Sequence, residues 1–416
     1  MMMHQMAYKQ FRSIELPKAL SHPVLVDANG LPRYWAAIWS ALTSHELELS
    51  TEVKKLRYIE SFYAFADELH GCGYLDSALG RLDLPAIGDI MEAYFISLRN
   101  RSDISSATEA NWQTCLGFAK DIVGRLAKTG IHTTSLAKTE ARLHQLDTLY
   151  GQLRIQKTRR PDILRSLPAE VVSAIYDLLN PEASNNPFKR THTRWNAFLA
   201  FICMLHLGLR RGEVLLLPVD CVKSAFDERL ARTRYWLNVK LTDDDERHDP
   251  RYNKPGIKTA DSIRQVPVSE ATATLIQTYI ENYRGKPSHP FLFNSLWNTP
   301  LSQESITDYF QKISKAIPTE VIKVLNFRTG KHSVTPHDFR HTCAVVRLNQ
   351  FLQNGDEMDV ALQKMRIFFG WARNSEMPRK YARAVFEDRL ATVWSNVMDD
   401  RVAILRSIPI GGVIGG

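Results

Sequence analysis

The sequence contains no uninterrupted apolar run that approaches the roughly 20 residues needed to span a membrane. Its first residues, MMMHQMAYKQFRS, hold no apolar core of signal-peptide length. A glycine-rich loop ending in Gly-Lys-Ser/Thr, which would bind nucleoside triphosphates, is also missing. The cysteines are odd in number, scattered and without zinc-ribbon spacing, which argues against a disulfide framework. We therefore expect a cytoplasmic protein in a reducing compartment, with no membrane partner.

The chain is 416 residues long, with 44% hydrophobic and 24% charged residues, close to the averages for globular proteins. This length leaves room for two or three domains, each with its own core. The formal net charge of +8 favours a polyanionic partner, nucleic acid before a membrane surface.

The first half of the sequence is predicted to be helical. Residues 1–49 are interpreted as an irregular or partly helical N-terminal arm, with Trp35 and Trp39 as possible anchors. Apolar residues then recur at helical spacing from about Ser50 and again from about Ala107 to Lys128, which indicates a helical domain over residues 50–153. The basic segment 154–165 is predicted to be a linker, although the end of a solvated surface helix is an equally good interpretation.

The second half combines helices with one β-rich region. Helices are predicted over residues 168–179 and 191–207, and Gly208 is expected to end the second of them. Strand-like segments follow at residues 235–241, 257–259 and 263–268, interrupted by the acidic insert 243–255. Further helical patterns cover residues 271–283 and 302–317. The expected fold is mainly α: a helical domain plus a mixed α+β domain with a small antiparallel sheet, over residues 166–400, and a tail over 401–416.

The segment Thr335-Pro-His-Asp-Phe-Arg-His-Thr342 carries the first candidate chemistry. Thr335 is a good N-cap, and Asp338 completes a capping-box-like pair at the start of a helix. His337 and Arg340 would share one face at the helix N-terminus, where backbone N–H groups and the dipole favour an anion. His337 and His341 also have the spacing of a helical metal pair, but no third ligand is evident. A capped surface helix with chance polar residues remains an alternative.

The second candidate is Leu207-Gly-Leu-Arg-Arg-Gly-Glu213, a helix-ending glycine followed by two arginines. Arginine binds phosphate oxygens bidentately and stays protonated, so it suits charge stabilisation in phosphoryl transfer. Glu213 could orient the guanidinium of Arg210 through a buried ion pair. A purely structural Arg–Glu pair explains this segment equally well in isolation.

These two segments, followed by Phe369-Gly-Trp371 and then Tyr381, resemble the motifs of the tyrosine recombinases, the phage integrase family. The resemblance covers roughly residues 168–395, while the helical half resembles the family's core-binding domain loosely. It implies that Arg210 and Arg340 bind the scissile phosphate and that Tyr381 is the nucleophile. It further implies that Lys258 is the general acid and that the Trp371 indole N–H donates to the phosphate. His337 would bond a non-bridging phosphate oxygen or assist proton transfer, and Glu213 and His341 would be supporting residues.

The sequence departs from the family pattern in one interval, and two of the assigned residues have rivals. The interval from Trp371 to Tyr381 is one residue longer than usual and includes Pro378, which the first turn of a short helix would accommodate. Lys254 is a nearby rival for the position of Lys258. The domain has other tyrosines that do not follow the Gly-Trp motif, namely Tyr283 and Tyr309.

The chemistry of these residues agrees with the resemblance. A phenol with a pKa of about 10 needs a cationic site to become a competent nucleophile, and two arginines and a lysine supply one. We therefore expect a DNA strand transferase that needs no metal or cofactor and that integrates or excises a mobile element. Its expected partners are double-stranded DNA, further copies in a tetramer on DNA, and possible accessory proteins.

Two other functions remain open at this point. A type IB topoisomerase would share the nucleophile and the arginines, and a catalytically silent DNA-binding regulator could descend from such an enzyme. The apolar tail over residues 401–416 could pack on its own domain or on a neighbouring protomer.

Overall fold

The computed structural model describes residues 7–10, 23–43, 49–101, 105–128, 144, 148, 166–229, 231–240, 249–251, 254–257 and 260–387. The chain divides into two compact units, residues 1–160 and 161–416. The predicted linker and tail lie outside the described residues, and the predicted domain boundaries stay predictions. No helix within the described ranges is long and apolar enough to cross a membrane.

The first unit is built from two short strands and five helices among its described residues. The strands pair antiparallel, with Ala7 opposite Val26. In chain order the elements are β1 (Ala7–Gln10), β2 (Pro23–Val26), α1 (Tyr34–Thr43), α2 (Leu49–His70), α3 (Tyr74–Gly80), α4 (Leu84–Arg99) and α5 (Ser106–Lys128).

The core of the first unit includes part of the predicted arm. Leu25, Ala36 and Trp39 are buried in the same cluster as the apolar stripes of α2, α4 and α5. The indole N–H of Trp39 donates to Asp121 on α5 at 3.1 Å. Residues 23–43 are thus packed within the helical unit, and the strand pair was not expected from the sequence. Strand pairing with so few residues gives too short an alternation to be recognised.

The second unit contains nine helices and three strands among its described residues. Their bounds in chain order are α6 (Ala169–Leu179), α7 (Thr191–His206), α8 (Arg211–Leu216), β3 (Val222–Asp227), β4 (Arg232–Val239), β5 (Arg264–Val268), α9 (Glu270–Asn282), α10 (Gln303–Ala316), α11 (Thr319–Thr329), α12 (Pro336–Gln353), α13 (Met358–Phe369) and α14 (Met377–Glu387).

The sheet of the second unit is antiparallel in the order β3-β4-β5. Val222 lies opposite Leu237 in the first pair of strands, and Val239 lies opposite Arg264 in the second. Strand β3 was not predicted, and Ile257, expected to open a strand, lies in irregular chain. The mainly helical fold with one small antiparallel sheet is confirmed.

Helix α7 forms the centre of this unit, because every residue from Trp195 to His206 is buried. It packs against α12, where the rings of Phe201 and Phe339 meet edge to face at 5.2 Å. Gly208 follows α7 with a φ of +61°, which a residue with a side chain rarely adopts. The turn that it makes leads directly into α8 and so fixes where the arginines of that segment lie.

Candidate active site

A buried carboxylate stands at the centre of the candidate site. Glu213, in the first turn of α8, accepts hydrogen bonds from Arg210 at 2.5 Å and from both terminal nitrogens of Arg264 at 3.2 and 3.0 Å. Nη1 of Arg340 lies 3.7 Å from Oε2 of the same carboxylate. Burial raises the pKa of the Glu213 carboxyl, but Arg264, Arg340 and Arg210 outweigh it and hold that pKa below its usual value. The carboxylate is therefore ionised and shared by three guanidinium groups.

Arg210 is the most accessible of the three arginines. Its side chain is 21% exposed, against 5% for Arg264 and 3% for Arg340. Its guanidinium donates to Glu213 and to the Ser262 hydroxyl at 2.9 Å, while its backbone N–H donates to the Glu213 carboxylate at 2.9 Å. Arg211 instead donates to two side chains of α10. The two neighbouring arginines thus serve different parts of the structure.

Arg340 reaches the site from the second turn of α12. It donates to the backbone carbonyl of Gly208 and to that of Phe369, the latter at 2.7 Å. Its guanidinium carbon also lies 5.1 Å from the centre of the Phe369 ring and 5.9 Å from that of Trp371. Burial lowers the pKa of the Arg340 guanidinium to about 9, although Glu213 acts in the opposite direction. The group stays protonated at neutral pH.

Tyr381 lies on α14, whose first turn contains Pro378, as the sequence suggested. Its hydroxyl is hydrogen-bonded to Nδ1 of His341, and its side chain is buried. The Tyr381 ring stacks on Trp371 with centroids 5.3 Å apart and planes 7° apart. Trp371 stacks in turn on Phe369 at 4.8 Å. Aromatic packing and one hydrogen bond therefore hold the phenol in place.

The N-terminus of α12 has the capping box that the sequence predicted. The backbone N–H and the hydroxyl of Thr335 donate to the carboxylate of Asp338 at 2.8 Å each, and Lys331 pairs with the same carboxylate. His337 is exposed, and its ring meets that of His341 edge to face at 4.1 Å. His341 thereby connects the helix N-terminus with Tyr381.

Lys258 lies outside the described residues, but the chain on both sides of it contacts α8 and the residue before it. On one side, a Cβ added to Gly212 would come within 2.7 Å of the carbonyl oxygen of Gly256. On the other side, Ser262 accepts the hydrogen bond from Arg210. The residues that flank Lys258, Gly256 and Ser262, thus both lie next to the arginine cluster.

The rival residues named from the sequence lie in other surroundings. Lys254 is exposed, and its backbone carbonyl accepts a hydrogen bond from Gln303 at 3.5 Å. Tyr283 stacks on Trp195 with centroids 4.2 Å apart. Tyr309 packs in the apolar core, where burial raises the pKa of its phenol to about 12.

Arg264 is a residue of the site that sequence reasoning missed. Arg264 donates to Glu213, to the Ser262 carbonyl at 2.7 Å and, through Nε, to the Phe368 carbonyl at 2.8 Å. It thereby joins the start of β5 to the turn before Trp371. The available signal was an arginine placed among the apolar residues of a predicted strand, and its distant partners gave no local pattern.

The described residues provide no third ligand for a metal ion at His337 and His341. Within the described ranges, no group of three or more His, Cys, Asp and Glu side chains is arranged to hold a metal ion. Nδ1 of His341 is instead engaged with the Tyr381 hydroxyl.

With this geometry in view, comparison with known proteins identifies the family. A sequence model of the phage integrase family matches residues 165–387, just over half of the chain. The chain belongs to the phage integrase family. It is therefore a tyrosine recombinase, from a class of enzymes that transfer DNA strands. No curated protein matches the sequence.

Solved structures of other tyrosine recombinases are similar to this one at low sequence identity. XerA recombinase is 13% identical, with 81% of this chain and 95% of that chain covered and a TM-score of 0.35. XerH site-specific recombinase, bound to its difH substrate before cleavage, is also 13% identical, with 86% and 94% covered and a TM-score of 0.37.

Proposed function

We propose that this tyrosine recombinase is site-specific and that it cleaves and rejoins double-stranded DNA through a 3′-phosphotyrosyl intermediate on Tyr381. The observation that carries the proposal is the arrangement of Arg210 and Arg340 around Glu213, with Arg340 beside the stacked rings of Trp371 and Tyr381. The setting that we propose is the integration or excision of a mobile element.

In the first step, Arg210 and Arg340 would bind the non-bridging oxygens of the scissile phosphate. Three guanidinium groups against one carboxylate leave two positive charges at the site, which favours a phosphate and the pentacoordinate species formed from it. His337 and the indole N–H of Trp371 are the further donors that we assign to the phosphate. Glu213 holds the charges of the two arginines in place before DNA arrives, and ring stacking holds Trp371. Little reorganisation of these groups is therefore needed during the reaction.

In the second step, the Tyr381 oxygen would attack phosphorus and the bond from phosphorus to the 5′ oxygen would break. The hydrogen bond between Tyr381 and Nδ1 of His341 supports His341 as the acceptor of the phenol proton. Lys258 would donate a proton to the departing 5′ oxygen. The 5′ hydroxyl of another strand would later attack the phosphotyrosine, releasing Tyr381 and rejoining DNA without ATP.

Double-stranded DNA is the partner that the proposal requires. The net charge of +8 favours a polyanion, and the phage integrase family to which the chain belongs is a family of DNA strand transferases. Exchange between two DNA sites needs four strand cleavages, so we further propose that four copies assemble on DNA. We propose accessory proteins as further members of that assembly.

The test uses a nicked suicide substrate built on DNA selected for binding to this protein from a random pool. We expect a covalent protein–DNA adduct with the unmodified chain, and none with Tyr381→Phe, which should still bind the DNA. An adduct that survives Tyr381→Phe would overturn the assignment of the nucleophile. Tyr283→Phe is the matched control, and the adduct should persist in it.

A relaxation assay on supercoiled DNA and a two-site exchange assay, read together with the adduct assay, separate the two rival functions. Relaxation of supercoiled DNA without site preference, and without exchange between two sites, would favour a topoisomerase. Tight DNA binding with no adduct on the suicide substrate would favour a regulator that has lost catalysis.

A further inference from the structure

The acidic insert between β4 and β5 contains a buried ion pair outside the site already described. The guanidinium of Arg251 donates through Nε to both oxygens of Asp249 at 2.9 Å, and through Nη2 to one of them at 2.7 Å. Each of these two side chains is 3% exposed. Nη1 of Arg251 donates to the backbone carbonyls of Leu215 at 3.0 Å and Leu301 at 3.1 Å, and its guanidinium lies 4.3 Å from the centre of the Phe291 ring.

This ion pair joins the insert to helix α8. Leu215 lies in the last turn of the six-residue helix, and Arg210 and Glu213 stand at its other end. Five residues after Arg251, the carbonyl of Gly256 lies against Gly212, close enough that an added Cβ would meet it at 2.7 Å. The chain therefore contacts both halves of α8, at Arg251 and at Gly256, before it reaches Lys258.

The chain is fixed again after Lys258. Ser262 accepts a hydrogen bond from Arg210 at 2.9 Å through its hydroxyl and one from Arg264 at 2.7 Å through its carbonyl. Five residues lie between Gly256 and Ser262, and the six residue steps that join them span at most about 20–22 Å when fully extended. Gly256, packed against α8, and Ser262, bonded to Arg210, thus flank Lys258 on its two sides.

We propose that Arg251, held by Asp249, is a positioning residue for Lys258: it fixes the insert to α8 and so keeps the general acid within reach of the departing 5′ oxygen. This inference rests on the proposed function, in which Lys258 donates that proton. The Arg251 guanidinium is buried and bonded to Asp249 and to two backbone carbonyls, so it acts through the chain that it anchors and not on the DNA.

A leaving group that needs no proton tests this role. When the 5′ bridging oxygen of the scissile phosphate is replaced by sulfur, Tyr381 attack breaks a P–S bond and releases a thiolate. A thiol has a pKa of about 8.5, so the thiolate leaves without a general acid. General acid–base catalysis contributes about 10²- to 10⁴-fold to a rate, and a residue that only positions the acid should account for part of this.

The experiment compares single-turnover cleavage of the oxygen substrate and of the sulfur substrate, at saturating protein, for four variants. Lys258→Ala defines the loss and the rescue expected for the acid itself. In Arg251→Ala we expect cleavage of the oxygen substrate to slow by at least about 10-fold, with the sulfur substrate cleaved at nearly the parent rate. Arg284→Ala is the matched control, because Arg284 is another buried arginine that donates to backbone carbonyls, those of His289, Phe291 and Leu292. Its ratio of the two rates should equal that of the parent.

Gly212→Ala is the fourth variant and disturbs the same segment without touching Arg251, because its Cβ would displace the Gly256 carbonyl. Gly212→Ala should also slow cleavage of the oxygen substrate more than cleavage of the sulfur substrate. If circular dichroism shows Arg251→Ala to be unfolded, this variant tests the positioning role in its place. Equal slowing of both substrates in a folded Arg251→Ala or in Gly212→Ala would overturn the positioning role. Failure of the sulfur substrate to rescue Lys258→Ala would instead refute the assignment of Lys258 in the proposed function.

Discussion

Glu213 shows how one side chain makes a cluster of cations possible. Three guanidinium groups without a carboxylate would repel one another, and the buried Arg340 would also lose the partner that offsets its desolvation. Glu213 supplies one negative charge and five contacts of hydrogen-bond or ion-pair length, including that to the backbone N–H of Arg210. It leaves the site with a surplus of positive charge, which is the condition that phosphate binding requires.

Replacing Glu213 by glutamine therefore removes the charge while keeping the size of the side chain. We expect the free energy of unfolding to fall by about 3–5 kcal/mol, the cost of leaving one partner of a buried ion pair uncompensated. Urea unfolding followed by fluorescence measures this loss. Glu320→Gln is the control, since its ion pair with Lys323 is exposed and its loss should change little. Equal stability of the two variants would contradict the central role of Glu213.

At the scale of elements, local signals predicted those parts of the site that local sequence determines. Thr335 and Asp338 mark the start of α12 by their capping box, and Gly208 marks the end of α7, so the positions of Arg340 and Arg210 followed from sequence. Arg264 was missed because its partners lie 51 and 104 residues away in the chain. No residue spacing within one element encodes such a contact.

Strand β3 was missed for a different physical reason. It is the edge of the sheet, and its residues from Val222 to Asp227 are exposed or half-buried, so they show no alternation of apolar and polar residues. The hydrogen bond between the Tyr381 hydroxyl and His341 was equally unpredictable, because it depends on how α14 packs against α12. The roles of Lys258 and the other site residues stay predictions until they are tested in solution.

The turn at Gly370 offers a test at this scale, because it joins α13 to Trp371 and lies against the chain before β5. Its φ is +59°, and an added Cβ would meet backbone atoms of Asp261 and Ser262 at 2.7 and 2.8 Å. Gly355 has a φ of +90° with nothing within 4 Å, so Gly355→Ala isolates the cost of the backbone conformation alone. We expect Gly370→Ala to lower the free energy of unfolding by about 1–3 kcal/mol more than Gly355→Ala in urea unfolding. Equal losses of unfolding free energy in the two variants would show that the close packing of this turn contributes nothing to stability.

At the scale of the whole molecule, each unit has an apolar core of its own. Trp112 and Phe62 are fully buried in the first, and Phe201 and Phe339 in the second, which also contains every described residue of the candidate site. A unit with a complete core can fold by itself. Affinity for DNA, in contrast, grows with the number of phosphates contacted, so it need not belong to the unit that performs the chemistry.

Residues 161–416 produced alone should therefore unfold cooperatively in urea and keep the near-ultraviolet circular dichroism expected of packed aromatic rings. We also expect this fragment to bind the selected DNA more weakly than the full chain, with a shallower dependence of log affinity on log salt concentration, because fewer phosphates are contacted. Fluorescence anisotropy over a series of salt concentrations measures both quantities. Trp112→Ala in the full chain is the companion variant: loss of this buried ring should cost the first unit about 3–5 kcal/mol, while the second unit still unfolds at its own urea midpoint. A fragment that fails to fold, or one that binds with the affinity and salt dependence of the full chain, would contradict this division of folding and DNA binding between the units.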